Sequence, residues 1–82
     1  MPERLRAARH KSVGAKQTLK AAETGRAKVV FLAKDAEERV LAPIVRQAQT
    51  RGIEVVYVES MQQLGRMCGI EVGAAAAALL TS

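Results

Sequence analysis

Apolar positions in this 82-residue chain are arranged in two ways, as short unbroken runs and as stripes at helical spacing. Ala27-Lys28-Val29-Val30-Phe31-Leu32-Ala33 is a nearly continuous apolar run, β-branched at its heart, and predicts a central strand buried on both faces. It ends at Lys34-Asp35. Ile53-Glu54-Val55-Val56-Tyr57-Val58 predicts a second strand. Upstream, Ala15, Leu19 and Ala22 share one side of a helix expected over Ala15 to Thr24, with Lys16, Gln17, Lys20 and Glu23 on the other side and Gly25 as its stop. Glu3 to His10 reads as a short first helix with Leu5 and Ala8 on one side, and Lys11-Ser12-Val13 as a short strand or a linker.

Val40, Leu41, Ile44, Val45 and Ala48 repeat at helical spacing between Glu37 and Thr50, but Pro43 lacks an N–H and its ring crowds the carbonyl four residues back. The expectation is a break, with a turn of helix over Ala36 to Leu41 and a main helix that starts with Pro43 at its first position and closes at Gly52. Ser60-Met61-Gln62-Gln63 has the form of a capping box, in which the Ser60 hydroxyl and the Gln63 amide satisfy each other's backbone donors. A short helix then runs to Cys68, Gly69 stops it, and Ile70-Glu71-Val72-Gly73 forms a tight loop. Ala74 to Ala78 is ambiguous: propensity favours helix, whereas Leu79-Leu80 and the preceding glycines suit a closing strand. Alternating helices and strands predict an α/β domain, with parallel strands joined by right-handed crossovers and helices on both faces.

Length restricts the chain to one domain over residues 1–82, since two cores of half that size would need metals or disulfides. Phe31 and Tyr57 are the only aromatic residues and Trp is absent, which argues against modules that stack successive bases on a row of rings. One cysteine, Cys68, and one histidine, His10, make neither an internal disulfide nor a four-ligand zinc site, so no metal or other cofactor is expected. No apolar run reaches the roughly 18 residues that span a bilayer, and the first 25 residues hold no apolar signal stretch, so the expected location is the cytoplasm, away from membranes.

The net charge of +5 is concentrated at one end. Residues 1–26 hold seven Lys or Arg against two Glu, while residues 27–82 hold six cations against six carboxylates. A basic segment beside a neutral body is the pattern of a polyanion-binding face, because cations that neutralise phosphates release condensed counterions. The alternative is a basic face that docks an acidic protein.

An enzyme needs a nucleophile, a base and an anion-stabilising site within reach of one another, and the inventory here is poor. His10 lies among basic residues with no carboxylate at local spacing. Cys68 falls at a helix C-terminus, the wrong dipole end for lowering a thiol pKa, and reads as a small core residue. Gly65, Gly69 and Gly73 recur every four residues but follow no strand in a dinucleotide-binding pattern, so capping and close packing explain them. Gly14-Ala15-Lys16-Gln17-Thr18-Leu19-Lys20 is different. A glycine leads a helix whose first turns carry Lys16, Gln17 and Lys20, so free N–H groups and two ammonium groups converge on one spot. Lys suits guanine O6 and N7, and Gln suits adenine N6 and N7. Ordinary RNA duplexes hide those edges in a deep groove, so structured RNA with non-Watson–Crick pairs or a bend fits better than plain duplex.

With these residues in view, the chain resembles the kink-turn-binding ribosomal protein family, in which archaeal and eukaryotic ribosomal and ribonucleoprotein components stand beside small bacterial relatives. The resemblance rests on Gly14-Ala15-Lys16-Gln17-Thr18-Leu19-Lys20, on Val29-Val30-Phe31-Leu32-Ala33-Lys34-Asp35-Ala36 and on the block from Leu64 through Gly69-Ile70-Glu71-Val72-Gly73 to Ala75. It implies a three-layer α/β/α sandwich around a mixed four-stranded sheet, with the Ala-rich tail completing the sheet as a strand. It also implies a single RNA-binding domain that acts as a monomer on the kink-turn, a helix–internal loop–helix element with tandem sheared G·A pairs and a sharp bend. By position, Gly14, Lys16, Gln17, Lys20 and Lys34 would contact the RNA, and the loop Ile70-Glu71-Val72 would pack on a flipped-out nucleotide. Candidate partners are ribosomal RNA on the ribosome, a riboswitch or an mRNA leader. Where archaeal and eukaryotic members have Asn-Glu, this chain has Lys16-Gln17, which exchanges a carboxylate acceptor for an amide and adds a cation. If the RNA reading fails, the implied role is a protein-interaction or ribosome-assembly module that docks an acidic partner through the basic face.

Overall fold

A computed structural model describes residues 10–81; the helix expected over Glu3 to His10 lies outside them except for its last residue. In chain order the elements are β1 (Lys11–Val13), α1 (Ala15–Glu23), β2 (Ala27–Ala33), α2 (Glu38–Arg51), β3 (Glu54–Val58), α3 (Met61–Cys68) and β4 (Ala76–Leu80). The strands form one sheet in the order β1-β4-β2-β3. Only β2 and β3 run parallel, with Leu32 opposite Tyr57; β4 is antiparallel to both β2 and β1. The all-parallel arrangement suggested by alternation is therefore corrected to a mixed sheet. After β3 the chain runs through α3 and the 70–75 segment, and β4 then enters the sheet on the other side of β2, antiparallel to it and between β2 and β1.

Strand β2 divides the core in two. Val29, Phe31 and Ala33 pack with Leu64, Met67 and Cys68 of α3, while Val30 and Leu32 pack with Ala21 of α1 and Leu41, Ile44 and Ala48 of α2. The side-chain alternation of a strand makes this split, and it sets α1 and α2 on one face and α3 on the other. The result is an α/β/α sandwich. β4 repeats the division: Ala77 faces α3, and Ala76 and Ala78 face α1 and α2. Pairing on both sides and small side chains between two layers make the alanine run a strand, against its helical propensity.

Two helices depart from expectation. α2 is one unbroken helix with Pro43 inside it, and Glu37 accepts from the N–H groups of Val40 and Leu41 at 3.0 and 3.2 Å. Pro43 sits in the second turn, where its missing N–H leaves unbonded only the carbonyl of Arg39, an exposed residue that water reaches. Burial of Leu41 and Ile44 on either side of it holds the helix through the proline. On α1 the fully buried stripe is Thr18, Ala21 and Ala22, with Leu19 and Ala15 half-buried. These short side chains bring the helix close to the alanines of β4, a fit that apolar spacing does not report.

Candidate nucleic-acid interface

One end of the sheet gathers the chain ends that carry the candidate residues. The Gly14 N–H donates to the Ala76 carbonyl at 2.8 Å, which pins the start of α1 to the first residue of β4. The Ala33 N–H donates to the neighbouring Ala75 carbonyl at 2.9 Å, and the Lys34 N–H to Val58 at 2.8 Å. The α1 tip, the ends of β2 and β3 and the 70–75 segment therefore share one edge.

Gly14 has φ 112°, a conformation that side chains rarely adopt. A Cβ there would lie 2.6 Å from Gln17 Oε1, so the glycine both makes the turn and leaves room for Gln17 to fold back over it. No side chain caps α1 and its first turn holds no acidic residue. Among the described residues, the N–H groups of Ala15, Lys16 and Gln17 have no partner, and the positive helix end faces outward. Lys16, Gln17 and Lys20 are exposed and in no ion pair among the described residues. Gln17 and Lys20 line a cleft of about 230 Å³ with Ser12, Thr24, Arg26 and Leu80.

Lys34 stands exposed at the end of β2, and its Nζ donates to Glu59 Oε2 at 2.8 Å. That hydrogen bond, with the ammonium charge behind it, holds the Glu59 carboxyl below its ordinary value. The capping box is half made. Ser60 Oγ accepts from the Gln63 N–H at 3.0 Å, but among the described residues the Gln63 side chain makes no bond back to the Ser60 N–H; the Met61 N–H of the first turn donates to Asp35 Oδ1 at 2.8 Å. Asp35 thereby ties the β2 end to the start of α3.

The 70–73 loop is strapped to α3. Ile70 N–H donates to the Gly65 carbonyl and Ala74 N–H to the Met61 carbonyl, both at 3.0 Å. A Cβ on Gly65 would collide with the Val72 carbonyl oxygen, and one on Gly73 would stand 3.2 Å from Met61 Cβ. Ile70 packs half-buried on the α3-side core, whereas Glu71 is exposed and Val72 is 70% exposed.

The structure thus brings Gly14, Lys34, Ile70, Glu71 and Val72 to one edge, with Lys16 and Gln17 on the first turn of α1 there. Lys20 stands a turn further along, toward Arg26. Sequence reasoning missed Arg26 and Asp35. Arg26 lies beyond the helix stop and joins Lys20 only because the chain folds back, and nothing local links Asp35 to a donor 26 residues away. Cys68 is buried, which pushes its thiol up against a smaller opposing pull from Lys11; no group of His, Cys, Asp and Glu suited to a metal occurs among the described residues.

An RNA-binding protein of Caldanaerobacter subterraneus subsp. tengcongensis is 54% identical over 66 residues, 80% of each chain. The large ribosomal subunit protein eL8 of Halobacterium salinarum is 43% identical over 70 residues, 84% of this chain and 58% of that one. Among solved structures, the Giardia lamblia 15.5kD RNA binding protein superposes with a TM-score of 0.87 at 23% identity, over 99% of this chain and 68% of that one, which speaks to the fold. The sandwich, the glycine-led helix and these relatives agree with a family model that matches residues 2–82: the chain belongs to the ribosomal protein L7Ae/L30e/S12e/Gadd45 family.

Proposed function

We propose that this protein is a non-catalytic RNA-binding protein that recognises kink-turn RNA and stabilises its bent form. The observation that carries the reading is the Gly14 N–H bond to Ala76, which sets an uncapped, cation-bearing helix end on the same sheet edge as an exposed apolar loop. A sharply bent RNA offers what those two surfaces take: phosphates crowded together for Lys16, Lys20 and Lys34, and an unstacked nucleotide for Val72 and Ile70. Gln17, folded over the helix start, is the residue positioned to read base edges at the sheared G·A pairs. Free RNA populates straight and bent conformers, and a ligand shifts that balance only by its differential affinity for the bent one. The role of these residues is to supply that difference. Family membership and the RNA-binding relatives support RNA as the partner, with ribosomal RNA, a riboswitch and an mRNA leader as the candidate classes.

A gel-shift with one kink-turn RNA and its G·A-disrupted counterpart tests the reading. The intact RNA is expected to bind more tightly, and Gln17→Ala to erode that preference more than overall affinity. Equal binding of both RNAs by the unaltered protein would exclude kink-turn recognition, and binding to neither would leave the basic face to an acidic protein.

A further inference from the structure

The structure assigns a second RNA contact to the groove between α2 and the edge strand β3: we propose that it holds an unpaired nucleotide, its base against Tyr57 and its phosphate on Arg46 and Lys34. The inference rests on this chain's binding RNA but does not need that RNA to be a kink-turn.

The groove has a volume of about 550 Å³, within the usual range for small-ligand sites. Of the two aromatic residues, Phe31 is wholly buried, whereas Tyr57 is 54% exposed. β3 lies at the margin of the sheet, so no further described strand covers Tyr57. Its cross-strand partner Leu32 and the nearby Val55 pack toward α1 and α2, so the ring projects from the same face as α2. There it lines the groove with Leu41 and Val45 as apolar wall and with Lys34, Arg46 and Gln49 as polar rim.

An apolar wall facing a single ring, with cations at the rim, matches a base attached to a phosphate. The base has a flat π-face for the ring and amide-compatible edges for Gln49, and its phosphate meets a guanidinium. An acidic peptide would engage the cations and leave the ring and apolar wall unused. Among the described residues Arg46 is in no ion pair, so its charge is available. Lys34 is held by Glu59, but both partners are more than half exposed, and such pairs contribute little enough for a phosphate to compete. With Glu38 on the same rim and Glu59 on Lys34, two carboxylates stand against these two cations, and Arg46 is the one in no ion pair among the described residues. Lys34 also joins the groove to the sheet edge described above, so a strand leaving that edge passes directly into it.

Tyr57 is the only tyrosine and there is no tryptophan, so intrinsic tyrosine emission reports this ring alone. Four probes separate the possibilities: a blunt-ended kink-turn RNA, the same RNA with a short single-stranded extension, a single-stranded oligonucleotide and adenosine monophosphate. The extension is expected to quench Tyr57 and tighten binding about tenfold, which is 1.4 kcal/mol and lies within the range for one stacked base. Tyr57→Ala and Arg46→Ala should each abolish that gain and leave affinity for the blunt RNA unchanged, while Tyr57→Phe keeps it. Saturable quenching by the mononucleotide, without a gain from the extension, would assign the groove to a free nucleotide. No quenching by any probe, with equal affinity for blunt and extended RNA, would overturn the proposal. A single-stranded oligonucleotide that quenches Tyr57 when the blunt kink-turn RNA fails to bind would refute kink-turn recognition and leave this contact standing.

Discussion

Replacing Gly65 with alanine sets two effects of opposite sign against each other. In a helix interior the change ordinarily stabilises by about 0.5–1 kcal/mol, because glycine has more backbone freedom to lose. Gly65 lies within α3, yet the added methyl would collide with the Val72 carbonyl. That atom belongs to the backbone, so the loop has to move as a unit. Its movement strains or breaks the hydrogen bonds from Ile70 to Gly65 and from Ala74 to Met61, each worth about 1 kcal/mol net. Overpacking adds roughly 1–3 kcal/mol. The costs exceed the propensity gain, and Gly65→Ala is expected to destabilise by about 1–3 kcal/mol, a fall in Tm of several degrees for a domain of this size. Thermal unfolding followed by far-UV circular dichroism measures it. Gly69→Ala provides a comparison: it has nothing within 4 Å and pays only for its left-handed φ of 81°. Displacing Val72 should also weaken RNA binding while leaving the salt dependence as it was. A Gly65→Ala protein as stable as the parent, with unaltered affinity, would show that the loop is not held against α3 as described.

Lys16→Ala and Lys20→Ala should each lower affinity and flatten the log–log salt dependence by up to roughly 0.9 per lost phosphate contact, whereas Val72→Ala should lower affinity and keep the slope; titrations across a salt series distinguish them. Thr18 Oγ1 is buried without a hydrogen-bond partner, so Thr18→Val, which keeps the shape and removes the hydroxyl, should stabilise the fold by about 1 kcal/mol in denaturant melts. Glu59→Gln releases Lys34 and should tighten RNA binding and steepen its salt dependence. Because Lys34 lowers the Glu59 pKa, the pair's small contribution to stability is present above the ordinary carboxylate value of 4.5 and fades as pH falls through the lowered one; Lys34→Ala should remove that pH dependence from acid unfolding.

The elements were legible where local pattern and burial agree. The β2 run, the stops at Gly25, Gly52 and Gly69 and the helical face of Lys16, Gln17 and Lys20 could be read directly, because each depends on neighbours in sequence. The mixed topology could not, since nothing in Ala76–Leu80 states its direction; resemblance to a family supplied it. Pro43 misled because the cost of a proline depends on which carbonyl it leaves unbonded, and that is a matter of exposure. The α1 end of the candidate site follows from a glycine and its cations. Its other half depends on Gly65 meeting Val72 and on Asp35 reaching Met61, which are contacts between distant parts of the chain.

Ala75 and Ala76 are consecutive residues, and their carbonyls receive Ala33 and Gly14. The tip of α1 and the end of β2, both at the candidate RNA-binding edge, are therefore fastened to adjacent residues where β4 begins, in the middle of the sheet. If that edge is the RNA site, two backbone bonds to neighbouring residues hold its α1 and β2 parts in register before RNA arrives, and the larger share of the conformational change falls on the nucleic acid. On the proposed kink-turn reading, RNAs with the same contact atoms are expected to rank by how readily each one bends.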